Sequence, residues 1–213
     1  MLEKIQFVKP EEIEARSMAI IEEELKSKPG NHIWSPEEYA VVRRCIHTSA
    51  DFDYAEQLYF SEGAVETALK LIKEGAHIVT DTKMAASGIN KKRLAAFGGQ
   101  VHCFMDDPQV AAQAKERGIT RSAVCMEQGA KIPGKKIFAV GNAPTALIRL
   151  YEMIREGTLI PDLIIGVPVG FVNVVESKEL IIQSNVPCIV ARGRKGGSNI
   201  AAAIANALIY QCN

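Results

Sequence analysis

The chain has 213 residues, 47% of them apolar, and its 25 basic and 25 acidic side chains cancel at neutral pH. That length suits a single domain over 1–213, able to bury a substantial core without disulfide or metal staples. The cancelled charge advertises neither nucleic acid nor an anionic membrane as partner, and five cysteines (45, 103, 125, 188, 212) without a CxxC pair read as reduced thiols in a cytoplasmic protein.

Taken in chain order, Pro10-Glu11-Glu12 opens a helix expected to run to about Lys26. Acids sit in its first turn, and Ile13, Ser17, Ile20, Ile21 and Leu25 lie along one face. Lys28-Pro29-Gly30-Asn31 breaks it. Ser35-Pro36-Glu37-Glu38 reads as a capping box with proline at the first helical position, so a second helix runs towards His47. Val65, Ala68, Leu69 and Ile72 repeat at helical spacing, as do Leu147, Leu150, Tyr151 and Ile154. Between the helices lie apolar runs at 77–80, 101–104, 137–140, 163–167 and 188–191, with little alternation, as expected of strands covered on both faces. Strand and helix in regular succession predict an α/β fold: a doubly wound, three-layer α/β/α arrangement around a mainly parallel sheet. No uninterrupted apolar run reaches membrane-spanning length, and the first residues show no signal stretch.

In open α/β sheets, ligands bind beyond the carboxyl ends of the strands. The unusual residues gather there: 80–88, 120–122, 141–145, 168–173 and 192–198. Three of these loops lead into helices whose first amides are free to meet anions. Neither a dinucleotide fingerprint nor a GxxxxGK[ST] loop is present, so a nucleotide-using enzyme is disfavoured, and no GxSxG elbow marks a nucleophile. The loops do supply cations and amides: Lys83, Arg121, Arg192, Arg194 and Lys195, with Asn142 and Asn173. Arginine grips carboxylates in bidentate fashion, so such a rim suits a small polyacid.

The run Arg43-Arg44-Cys45-Ile46-His47-Thr48-Ser49-Ala50-Asp51 puts one histidine where a helix ends, beside arginines, hydroxyls and a carboxylate. Histidine exchanges protons near neutrality. A helix C-terminus favours the imidazolium, and Asp51 or Asp53 would favour it further. On spacing alone, a histidine that merely caps carbonyls is the commoner case. His32, His77 and His102 read as structural, and none has a partner spaced for metal.

Residues 43–51, 81–88, 120–122, 141–145, 166–178 and 192–198 together resemble the precorrin-8X (cobalt-precorrin-8) methylmutases, a likeness running from Arg16-Ser17 to Gly196-Gly197-Ser198. The resemblance implies an isomerase of cobalamin biosynthesis that moves a methyl group from C11 to C12 of the macrocycle, giving hydrogenobyrinic or cobyrinic acid. It also implies a homodimer with active sites near the subunit interface, and His47 as the catalytic residue. An isomerisation needs no cofactor, and any cobalt arrives inside the tetrapyrrole substrate. His47 is then the candidate proton donor to the ring. Arg44, one helical turn earlier, is placed to anchor a carboxylate or restrain His47; Thr48 and Ser49 would orient the imidazole. Arg16 and Ser17 would close the pocket, Met84 would offer an apolar surface, and Thr82, Lys83, Arg121, Ser122, Asn142, Asn173, Arg192 and Arg194 complete the expected substrate contacts. A non-catalytic tetrapyrrole carrier is the alternative.

Overall fold

The computed structural model describes residues 7–27 and 33–212. The turn signal at 28–31 and His32 therefore lie outside the described residues. Pro10–Glu12 form a short 3₁₀ turn with proline at the first position, where a missing amide costs no helical bond, and α1 follows directly at Ile13–Ser27. Its expected apolar face is only partly used: Ile21 is buried, while Ile13 and Ile20 stay 53% and 49% exposed.

The second helix, α2 (Pro36–Ser49), begins with the anticipated box. The Ser35 amide donates to Glu38 Oε2 at 2.9 Å, and the Glu38 amide donates to Ser35 Oγ at 3.2 Å. It ends where Ala50 turns left-handed (φ 54°) and donates its amide to the Ile46 carbonyl at 2.7 Å. His47 thus lies in the last turn.

The remaining chain alternates as expected: α3 (Tyr54–Gln57), β1 (Leu58–Phe60), α4 (Ala64–Lys73), β2 (His77–Thr80), α5 (Lys83–Gly88), α6 (Lys91–Ala95) and β3 (Val101–His102). Then come α7 (Pro108–Arg117), α8 (Arg121–Ala130), β4 (Lys136–Val140), α9 (Pro144–Arg155), β5 (Leu163–Gly166), α10 (Val174–Ile182), β6 (Cys188–Ala191) and α11 (Ser198–Gln211). The six-stranded sheet has the order β1-β6-β5-β4-β2-β3, parallel throughout except that β1 pairs antiparallel with β6. β1 was not anticipated. Three residues are too few to show a period, and the strand owes its form to pairing with β6.

Within the central strands, neighbouring residues face opposite cores. Ile137, Ala139, Leu163, Ile165 and Ile189 join one cluster with α2, α4 and α11; Phe138, Val140, Ile164, Cys188 and Val190 join another with α8, α9 and α10. That double coverage explains the continuous apolar runs and makes the three layers. From β2 the chain steps outward to β3, then crosses back to build β4, β5 and β6 on the other side. The direction therefore reverses between β2 and β4, where the carboxyl ends open a crevice. Among the described residues no helix is long and apolar enough to cross a membrane.

Candidate functional site

At the reversal between β2 and β4 the crevice is closed by the chain itself. Asp81 follows β2, is fully buried, and accepts the backbone amides of Gly141 at 2.9 Å, Asn142 at 2.8 Å and Ala143 at 2.7 Å. Burial pushes its carboxyl above the usual carboxylate range, and those three donors pull it only part of the way back. The amides that start α9, expected to be open to a ligand anion, are thus taken by an internal one. Next to this clamp, the Thr82 and Ser198 hydroxyls lie 2.7 Å apart, and Thr82 also accepts the Ala85 amide as the cap of α5. Gly141 sits so close to α11 that an added Cβ would lie 2.6 Å from the Ser198 Cα.

At the other end of the rim, β1 runs against its neighbours, so the α2–β1 turn meets the loop after β6. His47 is exposed in the last turn of α2 and lines a shallow hollow of about 290 Å³ with Ser17, Ile20, Ile21, Glu24, Ile46, Ala50 and Phe52. Ser17 and His47, placed together on sequence grounds, therefore do share a cavity, although the Ser17 hydroxyl is spent on the Ile13 carbonyl at 2.9 Å. The groups around the histidine already have partners in the fold. The Ser49 hydroxyl donates to the Cys45 carbonyl at 2.8 Å and accepts the Asp51 amide at 3.2 Å, so it closes the helix end. Arg44 pairs with Glu14 of α1 at 2.8 Å and lies over the Tyr210 ring, so its charge ties two helices together. Asp51 and Asp53 both face Lys195 Nζ, at 2.6 Å each. These carboxylates raise the Lys195 pKa and spend its charge. Thr48 is exposed beside His47, and Arg16 is exposed on α1.

The other candidates divide by what already holds them. Lys83 pairs with Asp106 at 2.5 Å, and Arg192 lies 3.7 Å from Glu179 with its guanidinium over Tyr59. Ser122 points its hydroxyl at the Met105 sulfur, 3.9 Å away. Arg121 is exposed at the start of α8, whose cap Thr120 reaches Thr145 of α9 at 2.7 Å. Asn142 and Asn173 are exposed at the starts of α9 and α10, and Met84 is 70% exposed. Arg194 is exposed and stacks its guanidinium 5.6 Å from the centre of the Phe171 ring.

Three features escaped the sequence reading. Phe171 and Val172 stand 84% and 77% exposed on the loop after β5, an apolar surface beside Arg194. Asp81 was visible only as part of a polar loop. Lys178 is fully buried in α10 and donates from Nζ to the Gly193 and Lys195 carbonyls, both at 2.8 Å. Its burial lowers its pKa to about 8. The signal was available, since Lys178 shares one helix face with the buried Val174 and Ile181.

The model of the precorrin-8X methylmutase family matches residues 12–211. A cobalt-precorrin-8 methylmutase of Salmonella typhimurium is 45% identical over 203 residues, covering 94% of this chain and 95% of the relative. A precorrin-8X methylmutase of a Sinorhizobium species is 39% identical, covering 91% and 90%. Among solved structures, the precorrin-8X methylmutase of Thermus thermophilus superposes with a TM-score of 0.82 at 43% identity, covering 93% of this chain and 96% of that one.

Proposed function

The chain belongs to the precorrin-8X methylmutase family, isomerases of cobalamin biosynthesis, and from that premise we propose that it shifts a methyl group from C11 to C12 of its tetrapyrrole with His47 as proton donor. The observation that carries this reading is the exposed imidazole of His47, on the lip of a hollow and at the end of a firmly capped helix. Substrate and product are isomers. As the bond from C11 to the methyl carbon breaks, the bond to C12 forms, and no external electron or group enters. What the protein must supply is a rigid hold and an electronic bias on the conjugated ring. A proton or strong hydrogen bond from His47 to a ring nitrogen supplies the bias, and the proton returns to the imidazole when the product's conjugation forms. The polyacid edge suits Arg121, Arg192 and Arg194, and the flat face suits Met84, Phe171 and Val172, all exposed on the rim side.

The test is absorption spectroscopy with metal-free precorrin-8X and with its cobalt complex, each offered to wild type and to His47→Ala. Wild type should convert at least one of them, which a mere carrier does not. His47→Ala should lose about 10²- to 10⁴-fold in rate yet still bind the coloured corrinoid, because the carboxylate grip is intact. Near wild-type turnover by His47→Ala would remove the acid role.

A further inference from the structure

We propose that Lys178 and Lys195 are positioning residues for His47, forming a cross-tie that fixes the end of α2 against the loop after β6. The inference rests on the His47 reading above. It starts from Lys178, which is fully buried and whose ammonium meets two backbone carbonyls and no carboxylate among the described residues. Burying a cation without a counter-charge is costly, and leucine would fill the same space without that cost. What the ammonium does achieve is to hold two carbonyls of one loop, Gly193 and Lys195, at equal distances of 2.8 Å. It thereby fixes the backbone from which the Lys195 side chain springs.

Lys195 carries that fixed point across the rim. Its Nζ bridges Asp51 Oδ2 and Asp53 Oδ2 at 2.6 Å each. Those residues belong to a closed unit: Asp51 Oδ1 accepts the Asp53 amide at 3.0 Å, the Asp51 amide donates to Ser49 Oγ, and Ser49 Oγ donates to the Cys45 carbonyl. His47 lies inside this unit, between Cys45 and Ser49. Two lysines therefore connect α10 to the histidine-bearing turn through one loop. Because both carboxylates already occupy Lys195, its charge is not available to grip a substrate acid.

Three alterations made in the intact protein test this: Lys195→Met, the pair Asp51→Asn with Asp53→Asn, and all three together. Each is scored by the conversion rate of bound substrate and by affinity for the corrinoid product. A cross-tie predicts that Lys195→Met and the double Asn variant each slow the bound-state rate by about 10- to 100-fold, the scale of a small misplacement of a reacting group. Affinity should change by less than about threefold, the triple variant should be no slower than the worse of the other two, and Lys195→Arg should recover part of the rate. An anchoring role predicts the opposite: Lys195→Met weakens binding, while the Asn pair, by freeing the ammonium, tightens it. Either result overturns the proposal. Added to His47→Ala, Lys195→Met should have no further effect, and an additional loss would overturn it too. If His47→Ala keeps the wild-type rate, the acid assignment fails; if His47→Ala is inactive and Lys195→Met is unimpaired, only the cross-tie fails. Lys178→Met should mimic Lys195→Met in rate if it folds.

Discussion

The two ends of the carboxyl rim use charge in opposite ways. Around β2 and β4, where an open α/β sheet ordinarily offers its amides to a ligand, Asp81 takes three of them and Thr82 and Ser198 join their hydroxyls. Around β5, β6 and β1, by contrast, His47, Thr48, Phe171, Val172 and Arg194 face outward. At one end the loop amides are satisfied internally and form a clamp, with Met84 and Arg121 exposed beside it; at the other an imidazole and apolar side chains stand exposed. The comparison explains why a crevice that binds nucleotides in other doubly wound folds carries no nucleotide fingerprint here. Its anion is part of the chain.

The largest effect should come from breaking the clamp. Asp81→Ala leaves three amides without an acceptor, that of Gly141 buried and those of Asn142 and Ala143 part-buried; at about 1–3 kcal/mol for each unsatisfied group, partly relieved by water, the loss should be about 3–5 kcal/mol. Asp81→Asn keeps the shape and one good acceptor, so it should cost roughly half as much. Urea unfolding measures both. Sulfate offers a sharper arm, because vacated amides at the start of α9 should bind it. Sulfate should stabilise Asp81→Ala beyond the general salting effect seen with wild type, and equal responses would mean the crevice is not a displaced anion site.

A second measurement probes the strut beneath the open end. Lys178 holds its proton with a pKa of about 8 in the fold against about 10.5 when unfolded. Between those values the unfolded chain binds the proton more, so stability rises with pH. The gain from about pH 7.5 to about pH 10 should be roughly 2 kcal/mol. Buried tyrosines and cysteines work in the other direction, since Tyr54 is pushed up to about 12 by burial and so loses stability as the solution becomes alkaline. The quantity to follow is therefore the difference between wild type and Lys178→Met, in which those groups cancel. A flat difference across that range would mean that the folded ammonium is not penalised.

These residues also mark how far the sequence could be read. β2 and β6 fall on the anticipated residues, His77–Thr80 and Cys188–Ala191, because coverage on both faces leaves an unbroken apolar run. α2 was legible from its capping box alone. Beyond such local signals the reading weakens. β1 depends on β6, and Asp81 acts on backbone brought from the far side of β4. The motif containing His47 could be recognised, and so could the polar loops. Which cations were already spent could not, since Arg44–Glu14, Lys83–Asp106 and Lys195–Asp51 are set by packing between separate elements. Lys178 was hidden for another reason: a lysine reads as solvent-facing even when its helical spacing points inward.

Glycines distinguish the two ends by mechanism, at a smaller scale. At Gly141 an added methyl would meet backbone, with Gly197 O at 2.9 Å and the Ser198 Cα closer still. Gly141→Ala must push α11 away from β4, at about 1–3 kcal/mol, the usual cost of overpacking. At Gly193 nothing lies within 4 Å, but φ is +73°, so Gly193→Ala should lose about 1 kcal/mol from backbone strain alone. Equal unfolding midpoints for the two variants would erase that distinction.

The smallest effect on stability should be at Arg194, and it is informative for that reason. Its guanidinium lies over the exposed Phe171 ring, and an exposed cation–π contact is worth about 0.5–1 kcal/mol, so Arg194→Ala should unfold within about 1 kcal/mol of wild type. If the open end receives a polyacid macrocycle, the same variant should bind the corrinoid product about tenfold more weakly, equivalent to roughly 1.4 kcal/mol. Its bound-state rate should hold, because Arg194 lies outside the His47 turn. Phe171→Ala separates the apolar part of the contact from the charged part. Raising the salt concentration should narrow the gap between wild type and Arg194→Ala and leave the gap for Phe171→Ala in place, since only the first is screened. Loss of stability without loss of affinity at both positions would show that the exposed apolar loop serves the fold, and that the ligand-facing surface must be sought nearer the Ser17–His47 hollow.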